Sequence, residues 1–433
     1  MPSSSPTFTL DSQTCRELAN RYSTPLYVID EERLRTRARD YLAFMKAAHP
    51  NSEMSFASKA NTALAIIQVI YQEGALIDAS SEGEARGAIL AGVNPAKIHL
   101  HGNAKSKSTI RWALETGVGQ IILDSISEIK KVLDVYEELV ISGAKLSTKF
   151  ALRISPGIDP DTHAKISTGG ADTKFGIHYG SPEAIEAVQM ALKAGLPFVG
   201  FHAHVGSMLT NCEDQLNSAI AVVKFANKVV SELGFVPSEL NFGGGYAAKM
   251  KGSENPMPLD LYLNAVIKGA LVHAEFPVEN VTVLMEPGRA LVAEAGVTLY
   301  EVQSVKDVIL ADEVVKKYVS VDGGLSDNPS PALYDRAFHV ASPRDGKTQK
   351  VTVSGAHCET DLLFPDSDIC ADIQPGEILQ VLTTGAYNAS MASNYNRFQR
   401  PAMVLLRMDG SETLIQARES WEEVFSRDRV LPL

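Results

Sequence analysis

The sequence predicts an α/β fold: a (β/α)8 barrel of the TIM type followed by a β-rich module. Three observations carry that prediction. Between residues 54 and 290, eight short apolar runs alternate with segments of helical periodicity. Ser81, Ser106, Ser125 and Ser181 stand just ahead of helical segments, where N-caps belong. Beyond residue 290 the helical pattern gives way to strand-like runs. An open doubly wound sheet would show the same alternation, so strand counting alone leaves both in play.

Taken in order, the barrel strands are expected at 54–58, 76–79, 97–101, 120–124, 150–154, 199–204, 239–242 and 282–286. Helices at 62–72, 82–91, 108–116, 126–141, 182–194, 214–233 and 259–273 fill the seven intervals. The second module reads as strands at 297–308, 317–322, 350–354, 377–383, 402–408 and 412–417. A further apolar run at 25–30 (PLYVID) is a strand that fits the same sheet. The implied division is a barrel over 31–290 and a β-rich domain made of 1–30 with 291–433.

Composition narrows the function. The 433 residues are 45% hydrophobic and 21% charged, the mixture of a globular chain rather than a disordered or fibrous one. Forty basic against 52 acidic side chains leave a formal charge of −12. With no dense basic run, neither a nucleic acid nor an anionic membrane is an expected partner, and a small molecule is. The opening MPSSSPTFTLDSQTCRE lacks the basic and apolar regions of a signal peptide, and no apolar stretch is long enough to span a bilayer. Cys15, Cys212, Cys358 and Cys370 form no CxxC pair. Reduced thiols and a cytoplasmic location follow as expectations.

In a barrel, chemistry gathers at the C-terminal ends of the strands. Strand one ends at Lys59, strand two at Asp78, strand five at Arg153 and strand six at His204. Strand seven runs into Gly243, Gly244 and Gly245, and strand eight into Glu286-Pro287-Gly288-Arg289. Anion sites in such barrels often lie after strands seven and eight, and backbone N–H groups of a glycine run can close on a phosphate there. Each feature alone has an ordinary structural explanation. A lysine can be a solvated surface group, HxH two strand residues on one side, GGG a turn, and Cys358 an inert thiol. Their order along one barrel face is what points to a site.

The ordered set FASKAN, ISTG, TKFGI, HAHVGS, NFGGGY, EPGR, DGGLSDNPSPALYD, HCE and GAYNASMASNYN resembles the fold-type III, alanine-racemase-like pyridoxal-phosphate decarboxylases. It is most similar to the branch acting on diaminopimelate, with the ornithine branch more distant, and spans nearly the whole chain. The resemblance implies pyridoxal 5′-phosphate as cofactor and a small amino acid as substrate. It implies that Lys59 holds the cofactor covalently, that His204 stacks on its ring and that Glu286 faces the ring nitrogen. Ser207, Gly243, Gly244, Gly245, Gly288, Arg289 and Tyr387 would bind its phosphate, with Asp78 and Arg153 completing the cofactor site. Cys358 would donate a proton in the partner subunit's site, which implies a homodimer with shared sites. Arg289, Ser330, Tyr334, Glu359 and Tyr387 would contact the substrate, with no metal required.

Departures from the family pattern concern the substrate. The arginine that pairs with the distal carboxylate of diaminopimelate is replaced by Ser330, which removes a charge-assisted guanidinium pair. Arg336 and Arg344 are the nearby cations that could replace it. The family's CESGD is shortened to Cys358-Glu359-Thr360-Asp361, and Met208 stands where a glutamine is usual. Decarboxylation of meso-diaminopimelate to L-lysine is the expected reaction. Ornithine, lysine or a larger biosynthetic amino acid is the alternative substrate. A racemase, a non-catalytic family member, and a metal-dependent hydrolase using His202 and His204 with Asp78 or His101 are remoter readings.

Overall fold

The computed structural model describes residues 7–158, 172–253, 255–309 and 315–432. The ISTG stretch at 166–169 lies outside them. The chain divides into two compact units, one of residues 35–247 and 255–290, the other of 1–34, 248–254 and 291–433.

The first unit is a closed parallel barrel. Its strands are Ser52–Ala57, Leu76–Ala79, Ile98–Leu100, Gln120–Leu123, Lys149–Ser155, Phe198–His202, Glu239–Asn241 and Thr282–Met285. Strand eight pairs with strand one, Val283 against Ser52, and this closing ladder excludes the open sheet. Strands two, three and four are buried along their whole length, as expected when helices cover one side and barrel side chains the other. Helix starts follow the serine pattern: Ser81, Ser106 and Ser125 accept from Glu84 N (3.2 Å), Thr109 N (3.0 Å) and Glu128 N (3.2 Å). Each such cap contributes about 1 kcal/mol. Ser181 occupies the cap position without a side-chain bond, ahead of Pro182 in the first turn. At the N-terminal ends of the strands, Glu239 accepts from Gln120 Nε2 (2.7 Å) and lies 3.2 Å from Lys149 Nζ, tying strands four, five and seven together.

Small shifts separate expectation from structure. His204 and Glu286 lie just past strands six and eight, on the connecting turns. A two-residue strand, Ile177–His178, extends strand five's edge, and a helix at Glu31–Ala48 leads into the barrel. Neither was anticipated.

The second unit is built on a mostly antiparallel sheet. Its path runs Leu362–Cys370, Thr348–Ser354, Val315–Val321, Gly296–Ile309, Leu26–Asp30, Ala402–Leu406, Glu412–Gln416, with Ile378–Leu382 also paired to Gly296–Ile309. The run expected at 25–30 takes its place there as Leu26–Asp30, antiparallel to one neighbour and parallel to the other. Helix Ser12–Tyr22, capped by Asp11, buries Cys15 and Leu18 against Leu26, Val28, Leu299 and Val404. Each fully buried aliphatic side chain contributes roughly 1.5–3 kcal/mol. Leu362–Cys370 went unrecognised because Pro365 and Asp366 (φ 52°) interrupt its pattern where the ladder shifts register.

Candidate active site

Lys59 sits on the single turn Ser58–Ala60 that follows strand one. The turn is fixed from both sides: Ser58 Oγ donates to Asp78 O (2.8 Å), and Ala57 N donates to Pro287 O (3.0 Å). The ends of strands one, two and eight are thereby joined.

At the centre lies Glu286. Its carboxylate is buried and accepts from Asn241 Nδ2 (2.7 Å) and His202 Nε2 (2.9 Å), with His101 Nε2 3.1 Å away. Burial opposes its charge, but His202 and His101 outweigh that and hold its pKa well below the usual carboxylate range. Burial pushes His202 down to about 4, so it is a neutral donor at pH 7. Burial also works against a proton on His101, yet Asp78, 3.6 Å away, and Glu286 raise it above the ordinary imidazole value. Asp78 itself is pushed up to about 6 by burial, against the pull of His101. His101 thus lies beside two acids, packed edge-on against the neutral His202 at 4.9 Å between ring centroids.

The turns after strands six, seven and eight interlock beside this cluster. Glu286 N donates to Gly243 O (2.8 Å), Gly244 N to His204 Nδ1 (3.3 Å) and Leu209 N to Gly245 O (3.0 Å). Gly243 (φ 67°) and Gly245 (φ 138°) occupy left-handed backbone, and a Cβ on Gly245 would lie 2.7 Å from Leu209. Only glycine fits. Arg289 Nε reaches Ser207 Oγ at 3.5 Å from the start of a short helix, Arg289–Val292. Burial, then Lys59 and Arg153, press His204 well below the ordinary imidazole range, so its ring is neutral. Arg153 is buried, with its guanidinium 4.4 Å from the Phe175 ring.

A family model described as "Pyridoxal-dependent decarboxylase, pyridoxal binding domain" matches residues 34–293. The chain belongs to this family. Its decarboxylase relatives cover almost all of it. The diaminopimelate decarboxylase of Corynebacterium efficiens is 36% identical over 420 residues, 95% of this chain and 89% of that one. The Bacillus subtilis diaminopimelate decarboxylase is 34% identical over 417 residues, 95% and 92% of the two chains. The crystal structure of a diaminopimelate decarboxylase from M. jannaschii superposes with a TM-score of 0.87 at 32% identity, covering 96% and 94%. The chain is therefore a pyridoxal-phosphate-dependent carboxy-lyase.

The barrel of this decarboxylase suits that cofactor. It offers an amine at strand one, a carboxylate kept ionised by its Asn241, His202 and His101 neighbours, a neutral imidazole, and a glycine-only cradle with a hydroxyl and a guanidinium beside it. Asp78 Oδ1 and His202 Nδ1 are buried without a hydrogen-bond partner. The donor atoms of His101, His202 and Glu286 lie within 4.8 Å of one another. Both Nε2 atoms face the carboxylate at hydrogen-bonding distance, and His204 is not part of the group, so the hydrolase pairing of His202 with His204 does not form.

The decarboxylase's second unit carries the remaining candidates on three loops. Ser330 is buried at the start of the helix Ser330–Tyr334, and Tyr334 is half-buried. Cys358 and Glu359 are exposed at a hairpin tip, where Tyr395 donates to Glu359. Tyr387 is half-buried with φ 60°. Backbone bonds gather these loops on one segment: Ala356 N donates to Gly323 O (2.9 Å) and Ser393 N to Ser326 O (2.8 Å). All four cysteines are free. Among the described residues, no helix is long and apolar enough to cross a membrane.

The residues missed from sequence were His101 and Asn241 as partners of Glu286. The HxH of IHLH, which repeats that of FHAH, is the signal in the sequence that points to His101.

Proposed function

We propose that this chain decarboxylates meso-diaminopimelate, releasing CO2 and leaving L-lysine. The observation that carries the substrate is the extent of the likeness: 95% of the chain aligns with a diaminopimelate decarboxylase at 36% identity. When bound, pyridoxal phosphate supplies the electron sink for the pair left behind by CO2. Lys59 holds it through the amine. Glu286 keeps a proton on the ring nitrogen, which only an ionised carboxylate can do, and the His101–His202–Asn241 set keeps that carboxylate ionised and fixed. His204, neutral, packs on the ring, with Asp78 and Arg153 alongside. Ser207, the Gly243–Gly245 turn, Gly288, Arg289 and Tyr387 hold the phosphate. Cys358 carries the proton that replaces CO2, delivered in the partner's site of a cytoplasmic homodimer, while Glu359, Tyr334 and Arg289 receive the substrate.

Ser330 favours a second reading, a substrate without a distal carboxylate. A carboxylate buried without its cation loses about 2–5 kcal/mol. Arg344 does not supply that cation, since it is exposed and engaged by Asp372 (2.8 Å) and Glu377 (2.9 Å). Arg336, half-buried just past the Ser330–Tyr334 helix, is the replacement under the first reading. CO2 release from meso-diaminopimelate, ornithine and lysine, with wild type and Ser330→Arg, decides between them. The expected result is wild-type kcat/KM for diaminopimelate at least about 100-fold above the others, unimproved by arginine. A wild type that barely acts on diaminopimelate and gains strongly from the arginine overturns it.

A further inference from the structure

The hairpin that presents Cys358 and Glu359 joins Thr348–Ser354 to Leu362–Cys370, and its outermost ladder pair is Ser354 with Leu362. The tip, 358–360, is exposed, but its root is not: the side chains of His357 and Asp361 are 0% and 4% exposed. Asp361 Oδ2 accepts twice from His357, from the backbone N–H (3.2 Å) and from ring Nδ1 (2.9 Å). Gly355 N donates to Asp361 O (2.8 Å) and closes the turn behind them. Asp361 holds a positive φ of 37°, strained for a residue with a side chain.

The surroundings leave this pair no alternative position. The His357 ring is stacked on Tyr395 (centroids 5.8 Å, 13° between planes) and lies 4.5 Å from Phe398. A Cβ on Gly324 would lie 2.5 Å from His357 Nδ1. Asn396, next to Tyr395, accepts from Cys358 N at 3.2 Å. The exposed cysteine is thus joined to a buried, hydrogen-bonded pair by a single peptide link.

We propose that the His357–Asp361 pair is the positioning device of this loop: it spans the turn left short by Cys358-Glu359-Thr360-Asp361 and sets where Cys358 Sγ is presented. The proposal rests on the role given to Cys358 above. A hydrogen-bonded brace across four residues replaces the length of chain a longer loop would use, and misplacing a proton donor by about 1 Å costs up to about 100-fold.

The test compares His357→Leu, His357→Asn, His357→Gln and Cys358→Ala in the holoenzyme. It reads kcat and KM, and the rate at which iodoacetamide alkylates Cys358, followed by peptide mass spectrometry. Asparagine can place an N–H near the ring Nδ1 position, whereas glutamine carries it one carbon too far. The leucine variant is expected to lower kcat at least about tenfold with KM changed less than about twofold, and to shift the alkylation rate several-fold. Asparagine is expected to restore both, and glutamine neither. Leucine without effect on either readout, or asparagine no better than glutamine, overturns the proposal. If the leucine variant fails to fold, the asparagine–glutamine comparison decides alone. Full turnover by Cys358→Ala removes the cysteine's role instead, and the alkylation series then judges the pair by itself.

Discussion

The two units handle their chemical side chains in opposite ways. In the barrel, Glu286, His101, His202, Asp78 and Arg153 are all buried, and their charges are fixed by one another. In the second unit, Cys358 and Glu359 are exposed, and the buried groups lie beneath them. Burial in the barrel creates a low-dielectric setting in which one carboxylate's charge matters greatly. The loops of the second unit provide reach and placement. The difference predicts that barrel substitutions act through charge and second-unit substitutions through position.

The largest effect should come from Lys59→Ala, which removes the amine proposed to hold the cofactor covalently. Turnover is expected to fall by at least about a thousandfold, and borohydride treatment should leave no cofactor attached at residue 59. Reduced cofactor found on another lysine of the wild type would break the assignment. Glu286→Gln comes next, because it keeps the shape and two acceptor contacts but loses the charge. A loss of about 100-fold in kcat is expected, against under tenfold for the same kind of change at exposed Glu359. Equal losses would erase the distinction between charge and position.

A complementation experiment sharpens it further. If Cys358 serves the neighbouring subunit, mixing inactive Lys59→Ala with inactive Cys358→Ala restores activity. Random exchange makes half the dimers hybrid with one intact site each, so about a quarter of wild-type activity is expected. No recovery after verified exchange would place both residues in one chain's own site.

The smallest effect concerns stability and pH. Burial pushes Asp327 up to about 7, although Tyr300 and Gly324 N donate to it. An acid whose folded pKa exceeds its unfolded one binds more protons when folded. Its contribution therefore favours the fold below about pH 4 and is lost progressively as pH rises through 7. Asp327→Asn should flatten the fall in Tm between pH 5 and 8 by a few degrees. An unchanged slope would remove Asp327 from that balance.

Much of this architecture could be read from sequence, for physical reasons. Strands buried on both faces appear as apolar runs, as in Ile121–Leu123, and serine caps mark where helices begin. The helix Glu31–Ala48 escaped notice because its charged residues crowd the sequence, although Leu34, Ala38, Tyr41 and Met45 form a buried stripe at helical spacing. The placement of the candidate residues was legible wherever one strand end sufficed, as at Lys59 or Gly243–Gly245. It was not legible where the chemistry is shared. His101, His202, Asn241 and Glu286 come from strands three, six, seven and eight, and only barrel closure makes them neighbours. The His357–Asp361 pair was hidden differently, since a histidine four residues before an aspartate looks like an ordinary turn until Tyr395 and Phe398 bury it.

The contacts of Glu239 with Gln120 and Lys149 have a consequence for descent. They secure the closed barrel at the ends of the strands remote from Lys59 and Glu286. Residues on the catalytic rim can therefore be exchanged one at a time over generations without loosening the scaffold that displays them. A lineage built this way can change its diet while keeping its skeleton.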